Sequence, residues 1–205
     1  MAIFTEIIPT QNFDIVASKI AEILTAEIAN QQTLQGFQDE VNVFLERIEP
    51  FAKEEDVMVS VAFRESIPEG HTQKDSQGYN MYFIDLFVSG YGTPGTPPSI
   101  VTKNKLFRYL GLIRYILSSG KIPTLGLPRG FIGGKYIKKI TLDTDYSNFG
   151  NHSNYDWAYI RFARIMYLVR VQESQLLSLG VPLQENNTTI LYENTTKGVK
   201  LKFNN

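Results

Sequence analysis

The sequence contains no cysteine. That absence excludes a cysteine nucleophile, a thiolate metal site and a disulfide framework, and it leaves the redox compartment open. A surplus of either charge is also missing, because 20 Lys and Arg residues stand against 21 Asp and Glu residues, for a net charge of −1. A dedicated nucleic-acid-binding protein would normally carry a strongly basic surface. The balance therefore argues against that class, although it permits a local basic patch.

Long apolar runs are absent as well. The first residues, MAIFTEIIPTQNFD, lack the basic start and the continuous apolar stretch of a signal peptide. No window reaches the roughly 20 apolar residues that a membrane-spanning helix needs. We therefore expect a soluble protein that is made in a cytoplasm and has no membrane partner.

The chain has 205 residues, a length at which a domain buries roughly 70% of its unfolded surface and is stable without a metal or a disulfide. One domain with additions is expected rather than two. We predict an α+β domain over residues 1–180 and a C-terminal extension over residues 181–205. Two alternating runs in TTILYENTTKGVKLKF predict that this extension is a β-hairpin.

Two segments have the apolar spacing of amphipathic helices. Apolar residues recur every three or four positions from Phe13 to Gln32 and again from Lys103 to Ser119. Each segment therefore predicts a helix with one buried face.

Several other segments have strand patterns. The run VNVFLERI is short enough to be helix or strand but favours a strand, and WAYIRFARIMYLVRVQ fits both periods while its Tyr, Ile, Phe and Val content favours a long strand. Strict alternation predicts the remaining strands. We expect Val57–Arg64 and Tyr79–Ser89 to form a long hairpin with an extended, mobile tip at Pro68–Gly78, and Tyr136–Asp143 to form a later strand. This order of elements predicts an α+β fold, with a mainly antiparallel sheet, helices packed on one face and a C-terminal hairpin.

The stretch RGFIGGKYIKK, Arg129 to Lys139, has glycines and a lysine in the order of a phosphate-binding loop. Such a loop needs G-x-x-x-x-G-K-[ST] between a strand and a helix. Here Arg129 stands at the first glycine position, Tyr136 replaces the hydroxyl residue, and a strand pattern follows. We therefore predict a surface turn that enters a strand, and no bound nucleotide or other cofactor.

The carboxylates raise the question of a two-metal hydrolytic site. Asp75, Asp85, Asp143 and Asp145 are the acids that would have to converge. Asp85 is the most informative, since it lies inside the apolar run FIDLFV, where an acid is either solvent-exposed or held for a purpose. A structural ion pair with Arg64 on the neighbouring strand is the preferred interpretation. The histidines, His71 and His152, lie in polar segments without a second ligand at a metal-like spacing.

Basic residues cluster in two places. Arg129, Lys135, Lys138 and Lys139 crowd the glycine-rich stretch and the following strand, while Arg161, Arg164 and Arg170 lie on the long strand. Such clusters suit a phosphate backbone or an acidic protein partner, and lysines on an edge strand also prevent aggregation between sheets. Tyr159 and Tyr167, at positions we expect to be exposed on the long strand, are typical of a protein interface.

Over residues 10–172 the order of these patterns resembles phage tail-terminator or tail-completion (head–tail joining) proteins. The resemblance rests on FDIVASKIAEILTAEI, the hairpin VMVSVAFRES to YNMYFIDLFVSG, the helix KLFRYLGLIRYIL and the strands KYIKKITLD and AYIRFARIMYLVRV. It depends on element order and includes no diagnostic motif.

The resemblance implies a non-enzymatic virion protein, assembled in the host cytoplasm, that forms a ring expected to be hexameric. One face of the ring would bind the tail tube and the other the neck or connector proteins, and DNA would only pass through the lumen. On this view the loops at Pro68–Gly78 and Leu125–Lys135 make contacts between subunits or with the lumen. The candidate residues are Arg129, Lys135, Lys138, Lys139, His71 and Lys74. Another neck or baseplate protein, or a metal-dependent nuclease built on Asp85 and Asp143, is the alternative.

Overall fold

The computed structural model describes residues 7, 10–47, 49, 51, 55–71, 76–92, 95–143, 159–172, 189–191 and 198–200. The elements are α1 (Asn12–Gln35), β1 (Val41–Leu45), β2 (Val57–His71), β3 (Ser76–Gly90), α2 (Pro98–Ser118), β4 (Ile132–Asp143), β5 (Tyr159–Gln172), β6 (Thr189–Leu191) and β7 (Gly198–Lys200).

Strands β1 to β5 form one sheet in the order β1-β2-β3-β5-β4. β1 runs parallel to β2, and the other three pairs are antiparallel. Separately, β6 and β7 form an antiparallel pair. These findings confirm the predicted fold class. The chain divides into two compact units, Met1–Glu173 and Ser174–Asn205, and the predicted boundary at residue 180 stays a prediction.

Both helices lie on the same face of the large sheet and bury one apolar stripe each. The stripes meet the inward-facing residues of the sheet, and the fully buried members include Ile20 and Leu24 of α1, Ile113 of α2, and Ile84 and Ile165 of the sheet. Burial of one such side chain stabilises the fold by about 1.5–3 kcal/mol. The predicted helical periodicity therefore marks the core correctly.

The helix boundaries differ from the predicted ones for identifiable reasons. α1 continues to Gln35 and ends at Gly36, whose φ of 72° supplies the left-handed C-terminal conformation that glycine adopts without strain. α2 starts at Pro98, five residues before the predicted Lys103. Proline is favoured in the first turn, where its missing N–H costs nothing, so PSIVT belongs to the helix.

The hairpin between β2 and β3 is longer than predicted. The strands continue to His71 and Ser76, so most of the proposed tip at Pro68–Gly78 is paired backbone. Two register irregularities, between Phe63 and Glu65 and between Pro68 and Gly70, accommodate the residues that interrupt alternation. β-bulges tolerate proline and glycine, which explains why the sequence pattern indicated a loop.

Candidate protein–protein interface

The large sheet has a second face, opposite the helices. Side chains alternate along a strand, so the neighbours of the buried core residues point to this face. Its central members are Phe83, Asp85, Phe87, Phe162, Arg164, Met166 and Leu168 on β3 and β5. We call this set the second face. It contains aromatic and apolar residues in place of the small polar residues typical of a sheet face in contact with water.

The centre of the second face is a bidentate ion pair. Arg164 Nε donates to Asp85 Oδ1 at 2.7 Å and Arg164 Nη2 donates to Asp85 Oδ2 at 2.8 Å. The same guanidinium lies 4.4 Å from the centroid of the Phe83 ring, within cation–π range. The Asp85 carboxylate and the Phe83 ring thus fix the orientation of Arg164.

Asp85 forms a structural ion pair, as predicted, but its predicted partner, Arg64, is wrong. Asp85 lies directly opposite Arg164 on β5 and opposite Ser60 on β2. Arg64 instead lies over Phe83, with its Cζ 5.6 Å from the ring centroid. The error arises because the sequence does not show that β5 is the other neighbour of β3.

Aromatic contacts extend the second face to both ends of the sheet. Phe87 stacks against Phe162 with ring centroids 4.6 Å apart, and Phe51 stacks on Phe87 at 5.8 Å. At the other end, Tyr79 and Tyr136 meet edge to face at 5.8 Å. Such pairs are worth about 0.5–1.5 kcal/mol beyond area burial, so this face has a fixed shape.

Tyr167, which we expected at the exposed surface, is fully buried among the core residues. Its hydroxyl donates to the carbonyl of Leu117 at the C-terminal end of α2, at 3.2 Å. Burial raises the pKa of the Tyr167 phenol above its ordinary value. The side chain of Tyr167 was therefore assigned to the wrong face of the sheet. Tyr159, the other tyrosine that we expected to be exposed, is half-buried.

Lys135 also faces the helices. Its Nζ donates to the carbonyls of Leu117 at 2.6 Å and Ser119 at 3.1 Å. A cation at the C-terminal end of a helix satisfies terminal carbonyls and interacts favourably with the helix dipole. Burial lowers the pKa of the Lys135 ammonium from its ordinary value. The side chain thus has a structural contact within its own subunit.

The structure describes the remaining basic candidates to different extents. Arg129, Lys138 and Lys139 are exposed, and no described residue forms an ion pair with them. His71 ends β2, and only its backbone is described. Lys74 lies outside the described residues. Arg129 precedes β4, and Lys138 and Lys139 lie on it, so three exposed cations belong to the β4 side of the sheet.

The glycine-rich stretch has the backbone of a turn and a strand. Gly130 has a φ of 87°, and Phe131 N–H donates to the carbonyl of Pro128 at 3.1 Å, which closes the turn. β4 begins immediately afterwards at Ile132, four residues before the predicted Tyr136. A phosphate-binding loop requires a helix at this point, whereas the turn leads into a strand, as predicted.

A small cavity of about 250 Å³ lies beside this turn and is lined by Gln77, Gly130, Gly133 and Arg170. Arg170 Nη2 donates to Gln77 Oε1 at 3.1 Å, and Arg170 Nε lies 3.0 Å from Glu69 Oε2. The charge of Arg170 is therefore compensated within the subunit. The volume is below the roughly 300–1,000 Å³ typical of ligand pockets.

Among the described residues, no group of three His, Cys, Asp or Glu side chains is placed to hold a metal ion. Asp75, Asp145 and His152 lie outside those residues. In the same described part of the chain, neither helix is long and apolar enough to cross a membrane.

No protein-family model matches the chain, and no curated protein matches it. Among solved structures, the chain is similar to one chain of a structure described as "Virion of native gene transfer agent (GTA) particle", with 13% sequence identity and a TM-score of 0.43. The similarity covers 76% of this chain and 93% of that chain. A TM-score of this size does not establish a shared fold or function.

Proposed function

We propose that the protein is a structural component of a phage-like virion and that it assembles into a ring, hexameric in our expectation, which caps the tail tube and joins it to the neck. The observed order of helix, strand, hairpin, helix and two strands is the order on which the resemblance to tail-terminator proteins rests. The ring would act by binding proteins on both sides, with DNA passing through its centre.

The observation that carries this proposal is the chemistry of the second face. Aromatic residues and arginine are enriched at protein interfaces, while Lys, Glu and Asp are depleted there. The second face has this composition, and its one acid, Asp85, is neutralised by Arg164. A charge that is already paired costs less to bury beneath a partner than an unpaired charge does. The tail tube is the partner we assign to this face.

A nuclease based on Asp85 and Asp143 agrees less well with the geometry. The two residues are on β3 and β4, which β5 separates. Strands are about 4.8 Å apart, so the two backbones lie roughly 10 Å apart across the sheet, with a further offset along it. Two-metal sites need ions roughly 4 Å apart and carboxylates that bridge them. Asp85 is also engaged by both donors of Arg164.

The proposal is tested with tail tubes from the phage whose genome encodes this protein, isolated in a form that lacks it. The purified full-length protein is added to these tubes. We expect electron micrographs to show added density at one end of each tube. Serine in place of Phe87 should reduce this binding, whereas serine in place of Phe107, an exposed residue on α2, should not. Tubes that stay bare, or a gene located among metabolic genes, would contradict the proposal.

A further inference from the structure

In the described part of the chain, β1 and β4 are the two terminal strands of the large sheet, and neither has a strand paired on its outer side. At β1, Val57 N–H donates to the carbonyl of Glu40 and Glu46 N–H donates to the carbonyl of Val61. In a parallel ladder the bonds alternate along the strand, so Val41, Val43 and Leu45 direct their backbone groups away from β2. No described residue pairs with those groups.

Apart from its short length of five residues, the β1 edge lacks most of the devices that usually protect an edge. Proteins prevent unwanted strand pairing with lysine, proline, bulges or an inward-pointing charge. The strand Val41–Leu45 has none of these and pairs in regular register with β2. Its surroundings are acidic instead, because Glu40, Glu46 and Glu49 are exposed at its two ends. The edge is therefore available to a strand that brings positive charge.

The edge is also rigid. Asp39, immediately before β1, lies 3.1 Å from Lys105 Nζ and accepts a hydrogen bond from the hydroxyl of Tyr109 at 2.9 Å. Both partners belong to α2, so the core holds the start of β1 in place. A preorganised edge loses little conformational entropy when another strand joins it.

The β4 edge has the opposite character. Register irregularities occur between Ile132 and Gly134 and between Ile137 and Lys139, and the exposed cations Lys138 and Lys139 follow Arg129 on the same side. Two β4 edges would repel each other, and so would two β1 edges with their glutamates. The unlike edges attract, and electrostatic complementarity of this kind selects the partner.

We propose that the β1 edge of one copy joins the β4 edge of the next copy, with strand pairing supported by contacts between the glutamates and the lysines. The contact joins two different surfaces of the same chain, so it is head-to-tail, and such contacts generate closed rings when the rotation closes. This inference rests on the proposed ring and assigns its subunit contact. The alternative role of Lys138 and Lys139 is only to block pairing, and it predicts no effect of their charge on assembly.

The test compares the native mass of full-length variants over the same range of protein concentrations. Glu40→Lys with Glu49→Lys reverses the β1 side, and Lys138→Glu with Lys139→Glu reverses the β4 side. Glu46 is left intact because its carboxylate accepts the backbone N–H of Phe63 at 3.1 Å. The matched controls reverse exposed residues elsewhere: Glu22→Lys with Glu27→Lys on α1, and Lys103→Glu with Lys121→Glu near the two ends of α2.

We expect reversal of either edge to raise at least tenfold the protein concentration at which half of the chains are assembled. The controls should leave the wild-type mass unchanged. The chain with both edges reversed should recover assembly, because its charges are complementary again. A separate variant, Leu45→Pro, removes an outward N–H without breaking the β1–β2 ladder and should also prevent assembly.

The outcomes separate this inference from the proposed function. A wild-type ring that neither reversed edge disturbs, or that the combined reversal fails to restore, overturns the edge pairing and leaves the ring intact. A wild-type chain that stays monomeric at high concentration overturns both.

Discussion

The pairing of Asp85 with Arg164 predicts a measurable coupling energy across the second face. Asp85→Ala removes both acceptors of a bidentate pair, and Arg164→Ala also removes the contact with the Phe83 ring. A hydrogen bond to a charged group contributes about 1.5–3 kcal/mol. The Arg164 side chain is 39% exposed and that of Asp85 17%, so water screens part of this energy, and we expect a coupling of about 1 kcal/mol.

The assay is a double-mutant cycle by urea unfolding, with all variants at one concentration because assembly changes apparent stability. Arg164→Lys should recover less than half of the coupling, since an ammonium cannot make the planar bidentate contact. The control cycle pairs Asp85 with Arg64, the partner that the sequence suggested, and should give a coupling near zero. A larger coupling in the Arg64 cycle would contradict the pairing of Asp85 with Arg164, and so would an Arg164 coupling within the roughly 0.3–0.5 kcal/mol scatter of independent sites.

Three further predictions concern the contacts that shape the subunit. Lys135→Met should lower the free energy of unfolding by about 1–3 kcal/mol, because the carbonyls at the end of α2 lose a charged donor. The control, Lys138→Met, should change this free energy by less than about 0.5 kcal/mol. Equal effects of the two substitutions in urea titrations would contradict the assigned roles. The pKa of Tyr167 is raised in the folded protein. Its contribution to stability is therefore complete below the unfolded pKa of about 10 and is lost as pH rises towards the folded value. Tyr167→Phe should reduce the loss of stability above about pH 10, and an unchanged slope of stability against pH would exclude this cause. Gly78→Ala should destabilise by about 1–3 kcal/mol, since a Cβ there would lie 2.8 Å from the carbonyl oxygen of Ile67, and a neutral effect on the melting temperature would show that β2 moves freely.

The elements of the fold could be predicted from the sequence wherever a periodic pattern of apolar residues extended over many positions. The apolar stripe of α1 and the alternation of β2 and β3 each extend over many residues, and the structure confirms them. Boundaries were less certain because they depend on single residues such as Pro98, which starts α2 rather than preceding it. The glycines of β4 indicated a loop because alternation alone does not distinguish a bulge from a turn.

The candidate site was less predictable, because it depends on which strands are neighbours. Asp85 was identified as an acid with a structural partner, but Arg164 became its partner only through the order β3-β5-β4. Lys135 and Lys138 looked equivalent in sequence, although one caps α2 and the other is exposed. The register between distant strands decides such questions, and a single sequence does not contain it.

Assembly of the protein into a closed ring can be observed by electron microscopy of the purified full-length protein. We expect annular particles of uniform size with a central opening, and a native mass of six times the chain mass of 23.3 kDa. Isolated single subunits at high protein concentration, or open filaments of variable length, would contradict it.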